Sequence, residues 1–149
     1  MSINLRKATI DDAKAIAVIL KTSRQSAMPY LQHNHTPEED YAFIKDIVMQ
    51  ECHVVVAEDD NGILGFIAFN VDWIDHLYLL PEAQGKGVGS LLLNEAMQKS
   101  DDYQLWVFQR NTAARAFYEA KGFKVVRETD GQDNDEKEPD VLYRWKRTI

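Results

Sequence analysis

PEAQGKGVGSLLLNEAM, Pro81 to Met97, sets three of the chain's seven glycines within five residues and then runs into apolar positions at helical spacing, Val88, Leu91, Leu92 and Ala96. Before it stands WIDHLYLL, Trp73 to Leu80, whose alternation predicts a strand. A strand that turns on glycines into a helix leaves the first N–H groups of that helix free, and the positive end of its dipole points at the same place. Such a place suits a phosphate. The two familiar nucleotide loops do not account for it. A P-loop needs lysine followed directly by Ser or Thr, whereas Lys86 is followed by Gly87, and neither Gly85-Lys86-Gly87 nor Gly87-Val88-Gly89 has a third glycine at the Rossmann offset.

Working outward, the chain alternates strand-like and helix-like stretches with short polar joints and shows no repeat or low-complexity tract, which predicts one mixed α/β domain over residues 1–149. INLRKA reads as a first strand. Thr9 then caps a helix with Ile10, Ala13, Ile16, Ala17 and Leu20 on its inner face, fading near Met28-Pro29. Thr36-Pro37-Glu38-Glu39 is a capping box with proline at the first helical position, and Tyr41, Ile44, Ile47 and Val48 are the expected buried stripe. HVVVAED and ILGFIAFN form a hairpin across Asp59-Asp60-Asn61-Gly62, in which Asn61 and Gly62 are both expected to tolerate positive φ. After the glycine turn and its helix come the strand YQLWVF, the helix NTAARAFYEAK and the strands FKVVRET and DVLYRWK. From residue 53 the predicted order is β-β-β-α-β-α-β-β.

Asn111 to Phe123, NTAARAFYEAKGF, opens on a helix cap and closes on a glycine at the C′ position. Here the sequence resembles the GNAT superfamily of N-acetyltransferases, whose first motif reads Gln/Arg-x-x-Gly-x-Gly/Ala and whose second reads Asn-x-x-Ala-x-x-x-Tyr-x-x-x-Gly-Phe. Gln84, Gly87 and Gly89 fill the first; Asn111, Ala114, Tyr118, Gly122 and Phe123 fill the second. Their order and separation also match, from about Ile63 to Phe123.

The resemblance implies a fold and a ligand. The fold is an α/β (α+β) arrangement, a mixed, mostly antiparallel twisted sheet of six to seven strands flanked by helices and splayed between its two central strands, WIDHLYLL and YQLWVF. The ligand is acetyl-coenzyme A as co-substrate. Its pyrophosphate would lie on Gln84, Gly85, Lys86, Gly87, Val88, Gly89 and Ser90, and its amide-bearing arm on unpaired backbone at Leu77, Tyr78 and Leu79. Asn111 and Ala114 would face it, and Tyr118 would lie near the thioester sulfur. The implied reaction is transfer of acetyl to a primary amine of a small molecule or peptide by direct attack, with the Tyr118 hydroxyl, protonated at neutral pH, as the acid for the leaving thiolate. Two other readings stay open at this stage: a different acyl-coenzyme A as donor, and a non-catalytic acyl-coenzyme A sensor, which the presence of Tyr118 disfavours.

An attacking ammonium must first lose a proton, and the resemblance supplies no fixed residue for that. Alternation along WIDHLYLL places Trp73, Asp75, Leu77 and Leu79 on one face and Ile74, His76 and Tyr78 on the other, so Asp75 is the first candidate base and acceptor contact and His76 the second. His35, in the loop between the first two helices, is a candidate acceptor contact. His33 beside it reads as a solvated loop histidine, and no metal site is expected. Cys52 reads as a small apolar residue.

The remaining expectations come from composition. A net charge of -7 disfavours nucleic acid and anionic membrane as partners, and 45% hydrophobic with 28% charged residues, without a long apolar run, suits a soluble protein. The single cysteine and a start without an apolar block point to the cytoplasm; a homodimer is left open. Glu128 to Asp140 holds seven acidic residues against one lysine, and is either a solvated connection or an acidic rim that draws a cationic amine.

Overall fold

The alternating stretches 53–59 and 62–69 pair as a hairpin, and around it the computed structural model, which describes residues 2–148, builds the first of two sheets. β1 (Asn4–Lys7), β2 (His53–Asp59), β3 (Gly62–Phe69) and β4 (Ile74–Leu79) lie side by side in that order, each antiparallel to the next. β5 (Asp102–Phe108), β6 (Lys124–Thr129) and β7 (Asp140–Lys146) form the second sheet, in the order β5-β7-β6 and again antiparallel. Seven strands with flanking helices match the expected fold class. In the hairpin, Asp59 pairs with Gly62, and only Gly62 takes positive φ, +128°. Asn61 does not; its N–H is held by the Asp59 carboxylate at 2.9 Å, so the aspartate fixes the turn that asparagine was expected to fix.

The helices follow their caps, with three shifts of face. A 3-10 turn, Ile10–Asp12, precedes α1 (Ala13–Ala27) and is tied down by Asp12, which accepts the Thr9 N–H at 2.7 Å and both ends of the Arg6 guanidinium at 2.8 and 2.9 Å. The tighter turn swings Ile10 outward, 51% exposed, while Ala13, Ile16, Ala17 and Leu20 are buried as their spacing predicts. α2 (Pro37–Phe43) begins on the reciprocal Thr36–Glu39 box, with bonds of 2.8 and 3.1 Å. It continues through a π turn, Ile44–Val48, into a last short turn, α3 (Met49–Glu51). The widened turn keeps Ile44 and Val48 inside and leaves Ile47 46% exposed, where α spacing predicted it buried. In α4 (Val88–Met97), Leu93 joins Val88, Leu92 and Ala96 in the core and Leu91 faces out, against expectation. α5 (Thr112–Ala120) has Asn111 as its cap and ends on Gly122 at φ +96°, with the Phe123 N–H donating to the Tyr118 carbonyl at 3.0 Å.

Two apolar clusters hold the layers. On one face of the first sheet, Ile16, Leu20, Ile44 and Val48 pack on Val54, Val56 and Phe66. On the other, Leu92 and Leu93 of α4 join Ile67 and Ile74 to Tyr103 and Tyr143 of the second sheet and to Phe123 just before β6, so one core spans both. Each such side chain contributes about 1.5–3 kcal/mol relative to exposure. No helix among the described residues is long and apolar enough to cross a membrane.

The feature that positions the site is where the two sheets meet. Trp73 and Gln104 make one isolated parallel bridge, with the Gln104 N–H donating to the Asp72 carbonyl at 2.9 Å. Beyond it β4 pairs only with β3 and β5 only with β7. The central strands are therefore parted, as the resemblance implied.

Candidate active site

Parting leaves one bare edge on each strand. The Leu80 N–H donates to the Leu64 carbonyl at 2.8 Å. By the alternation of an antiparallel pair, Tyr78 and His76 also turn their peptide groups to β3, and Leu77 and Leu79 turn theirs to the gap. A cavity of about 480 Å³ occupies the gap, with Leu77 and Tyr78 on one wall, Val107 and Phe108 on the other, and Asn111 and Tyr118 beyond. Backbone groups so placed require water or an amide-bearing ligand as partner.

At the end of β4 a 3-10 turn, Pro81–Ala83, leads into the glycines. Gly85 (φ +78°) and Gly87 (φ +81°) are left-handed, which favours glycine, although space for a side chain is open at both. The first helical N–H to reach back is that of Leu91, on the Gly87 carbonyl at 3.1 Å. Val88, Gly89 and Ser90 therefore present N–H groups without helical acceptors, and glycine as N-cap brings no side chain to satisfy them. Gln84, Gly85, Lys86 and Gly87 are exposed, whereas the Val88 side chain is in the core and offers a ligand only its N–H. The residues present fit the pyrophosphate and arm of coenzyme A: an anion-receptive turn at one end of a slot edged by free peptide groups.

On the far wall, Asn111 caps α5, its side-chain oxygen accepting the Ala114 N–H at 3.2 Å, and both residues line the cleft. Tyr118 is buried edge-on between Phe117 and Phe123, with centroids 5.2 and 5.5 Å away. Its hydroxyl makes no hydrogen bond among the described residues. Burial, and then the neighbouring Tyr78, push its pKa well above the ordinary tyrosine value, so it keeps its proton at neutral pH.

Asp75 and His76 depart from strict alternation. His76 pairs with Ala68 and Ile74 with Phe69, so Asp75 is a bulge residue, and the bulge turns Ile74 into the cluster that holds Leu77 and Leu79. The expected grouping of Trp73, Asp75, Leu77 and Leu79 on one face does not hold, and both Asp75 and His76 line the cleft. Asp75 is exposed, and its carboxylate accepts the Cys52 thiol at 3.3 Å. Burial and that carboxylate push the thiol up to about 12, so Cys52 holds its proton at neutral pH. The His76 ring lies among Phe43, Phe66 and Tyr78, with its Nδ1 buried and unpartnered, and burial lowers its pKa to about 4.

His76 and Glu136 also border a second, larger cavity of about 990 Å³ beneath the 28–36 loop. His35 lines this cavity and Asp75 only the first, so the two expected acceptor contacts occupy separate chambers. His33 is not the solvated histidine expected; its Nε2 lies 2.7 Å from the buried Asp40 carboxylate. Among the described residues no three His, Cys, Asp or Glu side chains are grouped to hold a metal.

The acidic connection between β6 and β7 is a folded strap rather than a plain solvated loop. Arg110 grips both oxygens of Glu138 at 2.8 Å, Arg24 of α1 reaches Glu136 at 3.1 Å, and Asn134 donates to the Glu138 carbonyl at 2.8 Å. Gly131 takes φ +83° and lies so close to Glu138 that a Cβ would sit 2.3 Å from its carbonyl. The sequence reading missed Val107 and Phe108, although the implied splay already exposed that edge, and missed Arg24, Tyr30 and Arg110, whose roles depend on loops far apart in sequence.

Residues 50–125 match the family model for the acetyltransferase (GNAT) domain. Among curated proteins the chain is similar to the peptidyl-lysine N-acetyltransferase YjaB of Salmonella typhimurium, 24% identical over 89% of this chain and 91% of that one. It is also similar to the peptidyl-lysine N-acetyltransferase YiaC of Escherichia coli, 25% identical over 82% and 84%. Among solved structures, apo YjaB of Escherichia coli superimposes with a TM-score of 0.81 at 21% identity over 99% and 100% of the chains. The PaiA N-acetyltransferase of Thermoplasma acidophilum, in complex with coenzyme A, does so with a TM-score of 0.74 at 24% identity over 98% and 99%.

Proposed function

The chain belongs to the GNAT acetyltransferases and is an N-acetyltransferase, and on that premise we propose that it carries acetyl from acetyl-coenzyme A to a primary amine of a peptide or small molecule. The similarity to two peptidyl-lysine N-acetyltransferases supports a lysine side chain as that amine. The observation that carries the proposal is the parting of β4 from β5, with free N–H groups at the glycine turn on one end and Tyr118 beyond.

The coenzyme supplies an activated acyl thioester. The N–H groups of Val88, Gly89 and Ser90 bind its pyrophosphate, and the edge groups of Leu77 and Leu79 orient its arm. The amine comes from the second cavity, past His76, where acidic groups favour a cation. His76 is held neutral by burial and its Nδ1 has no hydrogen-bond partner, whereas Asp75 is exposed to water, so Asp75 is the better outlet by which the ammonium proton reaches solvent. Tyr118 holds a proton for the leaving thiolate. A cytoplasmic setting belongs to the same reading, supported by the one free thiol.

The test is thiol release from acetyl-coenzyme A with a panel of amines, lysine peptides included. Release that depends on an amine, with the acetylated amine identified by mass, is the expected result; donor binding without transfer to any amine would favour a sensor instead.

A further inference from the structure

Among the described residues two buried side-chain polar atoms lack a hydrogen-bond partner, the Tyr30 hydroxyl and His76 Nδ1, and both residues line the 990 Å³ cavity. A buried polar atom without a partner is costly, and two that fall on one cavity mark where a ligand's polar groups belong. His76 is shared with the coenzyme cleft, so it stands at the amine end. Tyr30 belongs to the loop after α1 and answers for a different part of the acceptor.

The surroundings of Tyr30 say which part. The Arg110 guanidinium covers its ring at 3.7 Å and is itself held by both Glu138 oxygens at 2.8 Å. The ring cannot swing away without breaking that stack, so the hydroxyl is fixed in place. Arg110 is neutralised by Glu138, and Arg24, which lines the same cavity, is paired with Glu136 at 3.1 Å, whereas Glu39, Asp40, Asp46 and Asp135 add negative charge to it. A carboxylate on the acceptor would be repelled there, whereas a neutral carbonyl can accept a hydrogen bond from the hydroxyl without charge cost.

We infer that Tyr30 is a specificity-determining residue: its hydroxyl donates to an amide carbonyl of the acceptor while the acceptor's amine passes His76 into the cleft. This rests on the amine-transfer reading above and extends it from amines in general to amines that carry an amide.

The test compares Tyr30→Phe with the parent on two probes of the same amine type, Nα-acetyl-L-lysine methylamide and n-pentylamine. Phenylalanine keeps the ring under Arg110 and removes only the hydroxyl. In the parent, kcat/KM favours the amide-bearing probe. In the variant it falls about tenfold for that probe, through KM, and by less than about twofold for pentylamine. The KM for acetyl-coenzyme A is unchanged. An unchanged ratio between the probes in the variant overturns the Tyr30 assignment and leaves amine transfer standing. No turnover of either probe by the parent removes the amine reading and the Tyr30 assignment with it.

Discussion

Tyr118 and His76 show how burial assigns roles to single residues. In sequence Tyr118 is one of two adjacent aromatics in an amphipathic helix, and only the motif around it singles it out. The fold places it on the cleft with a hydroxyl that makes no hydrogen bond among the described residues, and burial raises its pKa. Tyr118→Phe keeps the packing on Phe117 and Phe123 and removes the proton. The expected loss is ~10²–10⁴-fold in kcat when chemistry limits turnover, with acetyl-coenzyme A affinity little changed, measured by single-turnover kinetics and calorimetry. A kcat within a few-fold of the parent's would mean that water protonates the thiolate. His76 makes a prediction about pH. Its folded pKa of about 4 lies below the ordinary 6.5, so between those values the unfolded chain holds a proton that the folded chain does not. Its contribution to stability is complete above about 6.5 and is lost as pH falls toward 4. From pH 7 to pH 5 that loss amounts to about 2 kcal/mol. His76→Phe should flatten this part of the profile in urea titrations at the two pH values. An equally steep loss in the variant would mean that other groups carry it.

At the scale of elements, what could be read in advance followed from local chemistry. The Thr36–Glu39 box, the Asn111 cap and the Gly122 stop stand where their residue types placed them, because each cap is satisfied within a few residues. The failures were phase errors: the π turn that exposes Ile47 and the bulge that gives Asp75 and His76 a common cavity. Both insert one extra residue into a regular repeat, and what stabilises them is tertiary packing that periodicity does not encode. The folded form of the acidic strap was not legible in sequence for a related reason, since its partners Arg24 and Arg110 are distant in sequence. Glu136 and Glu138 are engaged in ion pairs, whereas Asp133 and Asp135 are exposed and make no ion pair among the described residues. On the amine-transfer proposal, steering of a cationic acceptor would fall to Asp133 and Asp135. Replacing both with asparagine should raise KM for the amine and flatten its salt dependence, while KM for the coenzyme stays the same or falls, since exposed charges act over roughly 8 Å at physiological salt. Glu138→Gln should instead lower the melting temperature by releasing Arg110. An unchanged amine KM and salt slope in the double variant would reduce these two aspartates to solvated charges.

For the whole molecule, the account turns on one architectural fact. Two antiparallel sheets share a core through Leu92, Leu93, Tyr103 and Tyr143, touch at Trp73 and Gln104, and then separate, leaving two strand edges with nothing to pair. Composition alone could not show this, because WIDHLYLL and YQLWVF read as ordinary strands; the motif pair at Gln84–Gly89 and Asn111–Phe123 pointed to it. The central claim is that the gap is the seat of acetyl-coenzyme A. Amide hydrogen exchange with and without the coenzyme tests it most directly, since it reads the very groups the fold leaves free. The account predicts slowed exchange at Leu77 and Leu79 and across Val88, Gly89 and Ser90 on adding acetyl-coenzyme A, and no such slowing with ATP. Protection confined to other segments, or none at those five amides at saturating coenzyme, would contradict it.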